Sequence, residues 1–80
     1  MDEEIATLDA TGLRCPLPVL RVRKVLKGIA DGGLLEVLAT DTAAPADFEA
    51  FCRETGHTLV AIAQTDEIYT IRLRKAASAR

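Results

Sequence analysis

The chain has 80 residues, of which 49% are apolar, with three aromatic side chains and no tryptophan, so it fits one domain whose core is mainly Leu, Ile, Val and Ala. Ten basic against twelve acidic residues leave a net charge of −2, which argues against general nucleic-acid binding, because that rests on neutralising phosphates with Lys and Arg. Two cysteines and one histidine cannot complete a four-ligand structural zinc site, and no apolar stretch approaches membrane-spanning length.

The opening Met1-Asp2-Glu3-Glu4 has neither the basic start nor the apolar run of a secretory signal. A cytoplasmic chain is expected, in which thiols stay reduced. Residues 1–4 read as an acidic frayed start, and 5–10 as a short strand followed by a turn at Gly12. A first helix is predicted over 16–29, stopped by Asp31-Gly32-Gly33.

Residues 34–40 read as a largely buried strand. Asp41 or Thr42 caps a second helix over 43–55, with Pro45 in its first turn and Gly56 just past its end. Two strands follow, over 58–64 and 68–74, joined through Thr65-Asp66-Glu67. In the last one Tyr69, Ile71 and Leu73 alternate with Thr70, Arg72 and Arg74. Residues 76–80 form a tail, and 1–80 is one domain.

This order predicts an α/β (α+β) two-layer sandwich, β-α-β-α-β-β, with a four-stranded mixed sheet and both helices on one face. Right-handed crossovers favour parallel pairing of the first strands, and the closing hairpin adds an antiparallel pair.

The chemistry concentrates at Cys15, in the run Gly12-Leu13-Arg14-Cys15-Pro16-Leu17-Pro18. A residue before proline is steered toward extended backbone, which an N-cap needs. Cys15 is therefore expected to cap the first helix, with Pro16 at its first position and Leu17 N–H as the donor left for sulfur. The helix terminus and the Arg14 charge would both favour thiolate over thiol.

Around the first helix, Val19, Val22, Val25, Leu26 and Ile29 share one arc, the predicted core face. Arg21, Arg23, Lys24 and Lys27 take the opposite arc, and Leu20 falls among them, with Leu17 on the same side. Basic residues beside exposed leucines suit a docking surface for acidic partner proteins, although charged helix faces are commonly just solvated.

Cys52, beside Phe51 and four residues after Phe48, reads as a packing residue. His57 reads as a turn histidine able to orient a neighbour. Asp41, Asp47, Glu49 and Glu54 read as surface or capping acids, with no paired-carboxylate logic.

The Cys-Pro-x-Pro run resembles the TusA/SirA-like family of small sulfur-carrier proteins. So do the Leu8-Asp9-Ala10 before it, the helix ending in Gly28, the strand from Leu34 to Thr40 closed by Asp41, and Phe51-Cys52 followed by Gly56-His57-Thr58-Leu59. The likeness spans roughly residues 7–75. It implies that Cys15 takes a sulfane sulfur as a persulfide from a cysteine desulfurase or rhodanese-type donor. An acceptor protein would then receive it in tRNA thiolation, cofactor assembly or sulfur oxidation.

Only Cys15 carries over as the catalytic position, framed by Gly12, Arg14, Pro16, Leu17 and Pro18. Leu17 stands where an acidic or polar residue is also familiar, which suits a different partner surface. Neither metal nor organic cofactor is implied, and the chain would act as a monomeric sulfurtransferase-type carrier beside partner enzymes. Two alternatives remain open at this point: a non-catalytic adaptor using the basic first helix, and a redox module cycling Cys15 with Cys52.

Overall fold

The structure, a computed structural model, describes residues 5–77. Six elements follow in the predicted order: β1 (Ile5–Ala10), α1 (Leu17–Leu26), β2 (Leu34–Ala39), α2 (Ala44–Thr55), β3 (Thr58–Thr65) and β4 (Ile68–Arg74). They form one four-stranded sheet in the order β1-β2-β4-β3. β1 runs parallel to β2, while β4 is antiparallel to both β2 and β3. The mixed two-layer fold is as the element order predicts.

Alternation decides the faces, since successive strand side chains point to opposite sides. Leu35, Val37 and Ala39 of β2 lie in register with Leu73, Ile71 and Tyr69 of β4, and the helices cover this side. Val22 and Leu26 of α1 and Phe48, Phe51 and Cys52 of α2 join Ala10, Leu35, Val37, Ala39, Ile71 and Leu73 in one buried cluster, with Tyr69 packed against it. Each fully buried aliphatic side chain contributes about 1.5–3 kcal/mol, so the central strands and the two helices share the adhesion. On the uncovered side Arg72 Nε donates to Glu36 Oε1 at 2.9 Å.

β3 carries a bulge. Leu59 pairs with Leu73 and Ala61 with Arg72, so Val60 is the extra residue and stays 47% exposed. The β3–β4 turn is tight, with Asp66 at φ 55°.

Helix boundaries differ from the sequence reading in instructive ways. α1 begins at Leu17 and has Pro16 as its N-cap, one residue later than predicted. Pro16 and Pro18 lack N–H groups, and the Leu17 N–H turns back to the Arg14 carbonyl at 2.7 Å. The helix proper opens when Leu20 N–H reaches the Pro16 carbonyl at 3.1 Å.

At its other end α1 stops at Leu26 and tightens into i→i−3 bonds: Gly28 N–H donates to Val25 and Ile29 N–H to Leu26. Pro18 itself is a core residue, fully buried with Val22 nearby in the chain. α2 is preceded by Ala43 rather than a capping side chain. Asp41 works from two residues further back, its Oδ1 accepting the Ala43 N–H at 2.9 Å. Gly56 ends α2 at φ 88°, a left-handed conformation that glycine adopts without a Cβ clash.

Residues 1–4 and 78–80 of the expected frayed ends lie outside the described residues. Residue 76 is held, however: its N–H donates to His57 Nδ1 at 2.9 Å. Just before it, Lys75 and the loop after α1 exchange backbone bonds, Gly32 N–H to the Lys75 carbonyl and Lys75 N–H to that of Gly33, each 2.9 Å.

Candidate functional site

Parallel strands put the loops at their carboxyl ends on the same edge of a sheet. β1 and β2 are such a pair, so the loop bearing Cys15 lies against the loop bearing Asp41. Two bonds tie them: Gly12 N–H donates to Thr40 Oγ1 at 2.9 Å, and Cys15 N–H to Asp41 Oδ2 at 2.6 Å. Asp41 thus uses one oxygen for α2 and the other for the cysteine loop. Those two amides, Ala43 first and then Cys15, hold its carboxyl below the usual carboxylate range, with the Arg14 charge adding to the effect.

Cys15 is exposed and unbridged, whereas Cys52 is buried and also free. The Cys15–Pro16 peptide is cis. The thiol opens onto a small cleft of about 170 Å³ between the helices, lined by Pro16, Val19 and Arg23 on one side and Asp47, Ala50, Phe51 and Glu54 on the other.

The electrostatics run opposite to the sequence expectation. Cys15 is not the N-cap, and Leu17 N–H is already given to Arg14, so that amide does not serve the sulfur. The Asp47 carboxylate accepts a hydrogen bond from the thiol, and this pushes the thiol above its ordinary pKa. Partial desolvation and the charges of Asp47 and Asp41 act in the same direction. These influences act against the thiolate that the helix start was expected to favour. Asp47, read from sequence as a surface or capping acid, is a member of the site.

The predicted docking residues divide. Leu20, Arg23, Lys24 and Lys27 line a groove of about 580 Å³, completed by Leu26, Phe51, Thr55, His57 and Lys75. Arg21 is exposed but lies outside that lining. Leu17 and Leu20 are 46% and 51% exposed, as the helical pattern predicts.

The groove and the cleft share Arg23 and Phe51. The Arg23 guanidinium stands 5.0 Å over the Phe51 ring, within cation–π range, so one buried aromatic seats the cation between the two hollows. The His57 ring packs against Phe51 at a tilt of 41°, with ring centroids 5.6 Å apart. Because its Nδ1 accepts the Ala76 N–H, neutral His57 carries its proton on Nε2. Partial burial, then Lys75 and Arg23, lower its pKa. Lys75 is anchored by donating from Nζ to the Ile29 carbonyl at 2.6 Å.

Residues 6–75 match the family model described as Sulfurtransferase TusA. The chain belongs to that family. Among named relatives, this TusA-family chain is 49% identical over 53 residues to the sulfur carrier protein TusA of Allochromatium vinosum, covering 66% of this chain and 70% of that one. Identity with the sulfur carrier protein TusA of Pseudomonas entomophila is 43% over 72 residues, 90% of each chain. A Neisseria meningitidis serogroup A protein, provisionally named as a sulfur carrier, is 55% identical over 65 residues, 81% of this chain and 88% of that one.

The crystal structure of a SirA-like protein from Desulfitobacterium hafniense superposes with a TM-score of 0.78 at 24% identity. It covers 91% of this chain and 99% of that one. At that identity the likeness speaks for the fold. Among the described residues no helix is long and apolar enough to cross a membrane.

Proposed function

We propose that this TusA-family chain carries sulfur on Cys15, taking a sulfane sulfur from a protein donor as a persulfide and relaying it to an acceptor protein. The observation that supports this most is an exposed thiol at the mouth of a cleft, in a chain whose family and named relatives are sulfur carriers. A cysteine desulfurase or rhodanese-type enzyme is the donor class. The acceptor belongs to tRNA thiolation, cofactor assembly or sulfur oxidation, and the chain works as a cytoplasmic monomer.

The cysteine loop supports the role. Its amide is tied to Asp41 and Pro18 is buried in the core, so two partners can address one atom in a defined place. Arg23, Lys24, Lys27 and Lys75 give the adjoining groove a cationic lining without an acidic residue, which suits an acidic segment of a partner. That lining also favours the adaptor reading. The redox reading fares worse, since Cys52 is buried and lines neither hollow.

Intact-mass spectrometry after incubation with a cysteine desulfurase and free cysteine tests the assignment. The native chain is expected to gain one sulfur, localised to residue 15, and Cys15→Ser to gain none while remaining folded. Undiminished transfer by Cys15→Ser would reject the proposal and leave the adaptor reading in its place.

A further inference from the structure

The cleft contains a group for which an open thiol alone gives no reason. Asp47 projects from the first turn of α2 into the same hollow as Cys15, with Glu54 on its rim and Arg23 across from it. Asp41 stands behind, bound to the Cys15 amide. Arg14, the neighbouring cation, acts on Asp41. The charges that face the sulfur from α2 and from the loop after β2 are thus acids, and the cation of α1 is drawn onto Phe51.

We propose that Asp47 is the positioning residue of the Cys15 thiol: its carboxylate holds the unloaded sulfur as S–H inside the cleft and turns the terminal sulfur outward once the carrier is loaded. This inference rests on the sulfur-carrier reading and adds to it a residue that distinguishes the empty state from the full one.

The chemistry balances without an oxidant. The Cys15 sulfur attacks the outer sulfur of a donor persulfide, R–S–S–H. A bond forms between Cys15 Sγ and that outer sulfur while the donor S–S bond breaks, and the donor sulfur leaves with the bonding pair. The proton lost by Cys15 ends on the departing thiolate, so Cys–SH and R–S–SH become Cys–S–SH and R–SH. The new terminal sulfur lies about 2 Å beyond Sγ and is more acidic than the thiol it replaced. As an anion it is repelled by Asp47 and Glu54, whereas the former S–H was a hydrogen-bond donor to Asp47.

A consequence for selectivity follows. Small polysulfide anions meet a protonated thiol behind two carboxylates, and a protein donor that brings a cation into the cleft relieves both obstacles. Asp47 therefore slows uncontrolled loading without blocking loading by a docked partner.

Alkylation of Cys15 by iodoacetamide across pH, quantified by peptide mass spectrometry, tests this without any sulfur donor. Asp47→Asn is expected to react roughly fivefold faster at neutral pH, the effect of removing one nearby charge, with its rate profile moved to lower pH. Asp47→Glu, which restores the charge, is expected to stay with the native profile. Coincident profiles for native and Asp47→Asn overturn the proposal, as does an equal shift in both variants.

Should Asp47→Asn fail to fold, salt titration of the native protein keeps the test open. Screening is expected to accelerate alkylation, and an unchanged rate counts against Asp47. Failure of the desulfurase to load the native chain is a separate result, which removes the carrier reading and leaves the alkylation outcome to stand by itself.

Discussion

Asp41 reaches back across 26 residues of chain to Cys15, its Oδ2 accepting the Cys15 N–H at 2.6 Å while its Oδ1 holds the Ala43 N–H at 2.9 Å. Replacement by Asn keeps an acceptor for one of these amides and loses the charge that strengthens both. Asp41→Asn is expected to lower the thermal midpoint and to raise amide exchange at Cys15, measured by NMR.

The same carboxylate carries a pH dependence. Its folded-state pKa is depressed, so its contribution is present above the unfolded value of about 3.9 and is lost as pH falls through the folded value. Asp9, held below the ordinary range by the Thr11 hydroxyl and amide, contributes with the same sign. Acid unfolding followed by circular dichroism is expected to be less steep below about pH 4 in Asp41→Asn than in the native chain. Identical curves would mean that these bonds persist in the unfolded chain or are made by the protonated acid.

Lys24 and Lys27 line the groove and Arg21 does not. Charge reversal at Lys24 with Lys27 is expected to slow association with the sulfur donor on the order of tenfold at low salt. Arg21→Glu is expected to slow it less, with both effects shrinking as salt rises. Stopped-flow association rates check this, and equal effects would show that overall charge, rather than the groove, guides docking.

Cys52 lies in the core at 6% exposure. Cys52→Ala is expected to cost about 1 kcal/mol as a small loss of packing, measured by urea denaturation, with sulfur loading on Cys15 retained. Loss of loading in a folded Cys52→Ala would restore the two-cysteine reading.

Gly33 has a steric rather than conformational reason for being glycine. A Cβ there would come within 2.7 Å of an Ile29 side-chain carbon and 2.9 Å of the Ala30 carbonyl oxygen, and the backbone atom cannot swing aside. Gly33→Ala is expected to destabilise by about 1–3 kcal/mol, read from denaturant midpoints.

Much of the fold was legible because it follows from periodicity. Residues 34–39 are too apolar for a surface strand, 68–74 alternate, Gly56 closes α2, and the pair Gly32-Gly33 leads into β2, although α1 itself stops earlier, at Leu26. The exposed leucines at 17 and 20 likewise followed from helical spacing.

The sulfur's surroundings were not legible, because the residues that decide them arrive from elsewhere in the chain. Arg14 was assigned to the sulfur by adjacency, whereas Asp41 and Asp47 come from the next crossover and outweigh it. The predicted parallel pairing of the first two strands was the available clue, since it already required their following loops to meet. Lys75 and His57 joined the groove for the same reason: β4 ends and β3 begins beside the end of α1.

Pro16 is exposed and Pro18 is fully buried, so the two prolines of the motif do unlike things. One faces solvent beside the reactive atom, and the other is a peg driven into the hydrophobic interior. With the amide of Cys15 tethered on the near side and that peg on the far side, the reactive sulfur does not ride on a swinging arm. Delivery must be achieved by whole proteins exchanging places on a stationary mark, and turnover should track how fast they come and go.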